Sequence, residues 1–184
     1  MISLHAFFWI FVVLFGIVGA MRGWSKEILV TFAVILTLFI INVLEILPYI
    51  KDAVAKSVEL HFYIRVFLLI ILVFFGYQTP SIARFASNNR FAREKLQDSL
   101  LGFILGAINA YLVVGTILYY LEDAYKLMNN GTYPIEFILP VTAGTSAANA
   151  YAELLKILPP VWLTGNGIYI ATALAFTFVL IVFI

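Results

Sequence analysis

The chain has 184 residues, 64% of them hydrophobic and 11% charged, with a mean hydropathy of +1.05. A soluble domain runs at about 45–50% apolar and about 25% charged, and a soluble fold of this length could not hide so much apolar side chain. The net charge of +1 comes without a dense Lys/Arg cluster, so no nucleic-acid partner is expected, and the lack of cysteine excludes disulfides and thiolate chemistry.

Lipid is the solvent that suits such a composition, and the bilayer is the first partner the sequence implies. The 17 Phe, 10 Tyr and 3 Trp fit lipid-facing surfaces and interfacial belts. A hydrocarbon core of about 30 Å needs about 20 mostly apolar residues in helix. The first such run covers 3–21 and is closed by Arg22, Gly23, Trp24, Ser25, Lys26 and Glu27. It lacks a basic segment ahead of it, so it reads as a retained span and not as a cleaved signal peptide. The second runs 28–47 and stops at Pro48, with Glu45 near its end. The third, about 61–77, carries Arg65 one turn in, where the side chain is expected to snorkel to the interface. The fourth, 100–121, holds no charge.

Between the third and fourth spans, 81–99 reads as a loop. Beyond the fourth, 122–163 reads as an extramembrane segment. Asn129 to Pro134 carries turn chemistry, and Asn130-Gly131-Thr132 also fits a glycosylation acceptor, the turn being the better reading. Thr145 or Ser146 then looks like the N-cap of a short helix ending at Pro159. Its Tyr151, Leu154, Leu155 and Leu158 share one face, so it is expected to lie along the bilayer surface. A fifth span, about 168–184, follows Pro159-Pro160 and the Gly165-Asn166-Gly167 break. The expected fold is an all-α, polytopic transmembrane bundle. Its parts are a four-span core in 1–121, the 122–163 segment with its interfacial helix, and a fifth transmembrane helix in 164–184.

With five spans, Arg22, Lys26, Arg84, Arg90, Arg93 and Lys95 share one side, against Lys51, Lys56, Arg65, Lys126 and Lys156. The balance is nearly even, and the cation-rich 84–95 loop decides it. That loop is assigned to the cytoplasm and the amino terminus to the outside.

Two motifs stand out. At the first turn, Gly16, Gly19 and Gly23 leave a groove in which another backbone can come close, beside Arg22, Lys26 and Glu27. Taken alone, these residues describe a tight basic turn that sets topology. At the fourth span, Gly102 and Gly106 form a GxxxG pair extended by Ala110 on the same face. Packing within the chain is the favoured use of that stripe, and a homo-oligomer through the small-residue faces is the alternative. Asp98, just ahead of the span, is placed to cap it. Asn109 could line a pathway or bond a neighbouring helix, the second being commoner.

Together the motifs resemble colicin V production (CvpA-like) proteins over about residues 7–121. In that family an Arg-Gly pair followed by a basic-Glu pair sits between spans one and two, as Arg22-Gly23 and Lys26-Glu27 do here. The family's Asp-Arg-x-Leu-Gly-x-x-x-Gly-x-x-Arg/Lys-Gly pattern enters its fourth span. Asp98, Leu101, Gly102 and Gly106 match it, while Ser99, Asn109 and Ala110 replace the usual Arg, basic residue and Gly. The resemblance implies a small multi-pass protein of the bacterial inner membrane, tied to bacteriocin production, export and envelope homeostasis, with export or envelope proteins as partners. It brings no catalytic residue and no cofactor.

The residues themselves nominate no catalytic, cofactor or metal site. His5 and His61 are the only histidines and lie near span ends, without clustered ligands. No Gly-x-Ser-x-Gly elbow or phosphate-cradling loop occurs. The mid-span polar residues Thr31, Thr37, Asn109, Thr116, Thr172 and Thr177 are neutral, whereas Glu27, Glu45 and Arg65 sit at span ends. Proton- or ion-coupled transport usually uses ionisable groups deep in the membrane. An accessory scaffold is therefore the first expectation, a channel or transporter subunit formed by oligomerisation the second, and catalysis a distant third.

Overall fold

A computed structural model describes residues 4–48, 57–78, 92–128, 133–135 and 144–183. Those residues form an all-helical bundle: α1 Leu4–Arg22, α2 Trp24–Ile46, α3 Val58–Gln78, α4 Ala92–Leu127, α5 Ser146–Lys156, α6 Pro159–Trp162 and α7 Asn166–Phe183. Among them α1 to α4 are long and apolar enough to cross a membrane. The α5–α6 and α7 stretches form a pair bent by 61°, which makes up to five spans if counted as one.

The first four helices alternate in direction. The turn between α1 and α2 meets the last residues of α3 and the first turns of α4, since Arg22 Nη2 donates to the Tyr77 carbonyl oxygen at 3.1 Å and the Trp24 amide donates to Asp98 Oδ1 at 3.2 Å. We call this the near end. At the far end, the close of α2 faces the start of α3 and the second half of α4, as Glu45, Arg65 and Asp123 come together. Among the described residues, antiparallel α1 and α4 make the most extensive pairing. α7 runs back along α2, with Phe178 against Phe32 and Tyr169 against Phe39.

Burial follows from the pairing. Val30, Val34, Leu69 and Ile168 are sealed in one apolar cluster, and Phe8, Leu118, Leu121 and Leu158 in another. The outer faces of α1 and α3 instead expose large apolar side chains such as Val13, Ile17, Phe67 and Phe74. That is the inverse of a water-soluble bundle and the surface that acyl chains cover.

Several boundaries and contacts differ from the sequence reading. The first turn is one residue, Gly23, because the polar stretch to Glu27 is already the first turn of α2. The 92–99 part of the expected loop is helical, and α4 continues past 121 to Leu127. At 36 residues and about 1.5 Å rise each, α4 is far longer than a 30 Å core requires, so its ends stand clear of it. Thr145 does cap the short helix, its side chain accepting from the Ala148 amide at 3.2 Å. The apolar face of that helix, however, is turned into the protein: Tyr151, Leu154 and Leu158 pack in the cluster with Phe8 and Leu121. Neighbouring helices supply the cover that lipid was expected to give. The Asn130 turn and the cations Lys51, Lys56, Arg84 and Arg90 lie outside the described residues.

Candidate functional site

Gly23 sets the geometry of the near end. Its φ of +83° is open to glycine and strained for other residues, and this single residue reverses the chain between α1 and α2. Asp98 was expected to cap its own helix. It lies inside α4 instead, and its Oδ1 accepts from the Trp24 amide at the start of α2, where helix geometry supplies no acceptor. A Cβ on Gly23 would stand 2.8 Å from Asp98 Oδ2. Gly23→Ala thus adds backbone strain and a clash with the capping carboxylate. It is expected to cost about 1–2 kcal/mol, read as a lowered unfolding midpoint in detergent.

Below the turn, α1 and α4 touch backbone to backbone. A Cβ on Gly19 would run into the Gly102 carbonyl oxygen, one on Gly102 into that of Gly19, and one on Gly106 into that of Phe15. Gly16 faces the Phe103 ring. The Ser99 hydroxyl donates to the Ala20 carbonyl at 3.1 Å. The small-residue stripe of α4 is therefore occupied by α1, within one chain.

That approach leaves room for a polar knot among α1, α2 and α4. Glu27 is 1% exposed, yet its carboxylate is matched on both oxygens. Arg22 Nη1 donates to Oε1 at 2.5 Å and Asn109 Nδ2 to Oε2 at 2.9 Å. Asn109 Nδ2 also reaches the Glu27 carbonyl at 3.0 Å, and the Thr31 hydroxyl lies 2.7 Å from Asn109 Oδ1. The Arg22 guanidinium covers the Tyr77 ring at 4.3 Å and so ties in α3. A buried carboxylate is tolerable only when charge and lone pairs are both answered, as here. Asn109 is fully buried and bonds a neighbouring helix. Of the ten residues singled out in the sequence, nine meet at this end, while half-buried Lys26 makes none of these contacts.

The second polar group was not foreseen as a group. Arg65 does not snorkel outward. It is 14% exposed, with Nε donating to Glu45 Oε1 at 2.5 Å, Nη1 to Asp123 Oδ2 at 2.9 Å, and its guanidinium 4.8 Å from the Tyr120 ring centroid. His61 Nε2 stands 3.2 Å from the same Glu45 oxygen, so this histidine has a charged neighbourhood that span-end position did not reveal. His5 stays local, accepting from Trp9 Nε1 at 3.1 Å. A usable signal existed: alternating spans place the end of α2, the start of α3 and the end of α4 on one side, and each carries charge there.

Among known protein families, the one described as Colicin V production protein matches residues 4–136. The match takes in the four-helix core and runs past 121 into the following segment, further than the motifs alone extended. No curated protein and no solved structure matches the chain.

Proposed function

The chain belongs to the colicin V production protein family and is a multi-pass membrane protein, and from that premise we propose that it acts as an accessory scaffold in the production or export of a bacteriocin-type toxin and in envelope homeostasis. The observation that carries this reading is where the motif residues go. Arg22, Gly23, Glu27, Asp98, Gly102, Gly106 and Asn109 are spent on holding α1, α2 and α4 together, with the buried carboxylate answered inside the chain. Residues consumed in this way build a firm platform and present no reacting group. What is left for partners is the outer surface, such as the apolar face of α3 with Phe67 and Phe74. The bacterial inner membrane is the compartment that this role requires, with the near end and its cations on the cytoplasmic side.

A photo-crosslinking residue placed at Phe67 or Phe74 in native membranes is expected to capture other envelope or export proteins. Purified protein in sealed vesicles is expected to leave ion leakage at the level of empty vesicles. Flux well above that level, with only copies of this chain in the crosslinks, would replace the scaffold by a channel assembled from several subunits.

A further inference from the structure

At the far end, a cavity of about 220 Å³ opens between α2, α3, α4 and the bend before α7. Glu45, Arg65 and Asp123 form its charged wall, with Tyr119 and Tyr120 beside them. Among the described residues, every bond made by these carboxylates falls on one oxygen of each: Glu45 Oε1 takes Arg65 Nε and His61, and Asp123 Oδ2 takes Arg65 Nη1. Glu45 Oε2 and Asp123 Oδ1 accept no bond from another described residue. Among the described residues lining the cavity, two carboxylates face one guanidinium. Such an imbalance in a partly desolvated site is costly and is relieved by a cation. A cation that also donates hydrogen bonds would meet these two oxygens, and an aromatic face at Tyr119 would add to its attraction. An anion would have to take Arg65 away from both carboxylates.

We propose that this cavity binds a primary ammonium group, carried by a free amine or by a lipid headgroup. A cavity of about 220 Å³ has room for an aminoethyl group. Glu45 is the last residue but one of α2 and Arg65 opens the third turn of α3, so the cavity lies toward the ends of both spans, near the level of the headgroups. The site is separate from the near-end knot and does not rest on the scaffold reading.

The test uses the full chain in lipid nanodiscs. In phosphatidylglycerol discs, ethanolamine is titrated by calorimetry. In a second arm, discs containing phosphatidylethanolamine or phosphatidylcholine are compared for lipid retained on the protein by native mass spectrometry. Binding in at least one arm is expected, at least ten-fold weaker for choline or phosphatidylcholine, whose nitrogen has no N–H to donate. Ethanolamine binding alone assigns a free amine; retention of phosphatidylethanolamine alone assigns a headgroup. Asp123→Asn, at the more exposed carboxylate, is expected to weaken binding at least ten-fold with an unchanged unfolding midpoint, and Glu45→Gln to do the same. No binding in either arm, parity with the choline compounds, or binding that survives Asp123→Asn would overturn the proposal.

Discussion

Gly19→Leu is expected to collapse the bundle, with a loss beyond the about 1–3 kcal/mol typical of overpacked sites. The atom that a new side chain would meet is the Gly102 carbonyl oxygen, which belongs to the backbone of α4 and cannot rotate away. α1 would have to back off along the whole contact. Doing so would separate Gly102 and Gly106 from their partners, break the Ser99 bond to Ala20, and pull Arg22 away from Glu27. Gly16→Ala is the comparison. Its Cβ would meet the edge of the Phe103 ring at 2.8 Å, and Phe103 is 41% exposed and free to swing outward. The cost there is expected to stay below about 1 kcal/mol. Thermal unfolding in detergent, followed by circular dichroism, separates the two, and equal midpoints would refute the backbone-contact account.

The second large effect belongs to Glu27→Leu, expected at about 3–5 kcal/mol, because it strands a guanidinium and an amide that the carboxylate had satisfied. The loss comes from the partners left behind more than from the bond itself. Replacing all three groups together, as Arg22→Met, Glu27→Leu and Asn109→Leu, is therefore expected to recover most of the stability lost by the single change. Denaturant titration of the wild type and three variants is the measurement: the single, the triple and Asn109→Leu alone. A triple variant as unstable as the single one would show that the charged pair is itself the source of stability.

Much of the near end was legible from residue order alone. Gly19, Gly102 and Gly106 can be read as a close-packing stripe because only small residues let helix backbones touch in lipid. Arg22-Gly23 and Lys26-Glu27 mark the first turn for the same local reason. The direction of Asp98 was not legible, since a carboxylate ahead of an apolar run ordinarily caps that run. It serves α2 here because α4 starts six residues upstream of Asp98, at Ala92. Arg65 misled as well. Snorkelling is the default for an arginine near a span end, but two carboxylates from other helices wait within the bundle.

Sequence by itself determined that this protein is helical, that it is solvated by lipid, where its main spans run and which family it resembles, because each of these depends on local composition and on periodic spacing within one segment. Tertiary structure alone decided who answers Glu27, which helix covers the apolar face of α5, and that Glu45, Arg65 and Asp123 share one cavity. Glu27 and Asn109, for instance, stand 82 positions apart in the chain. A charge carries no mark of its partner until neighbouring helices have fixed the distance between them.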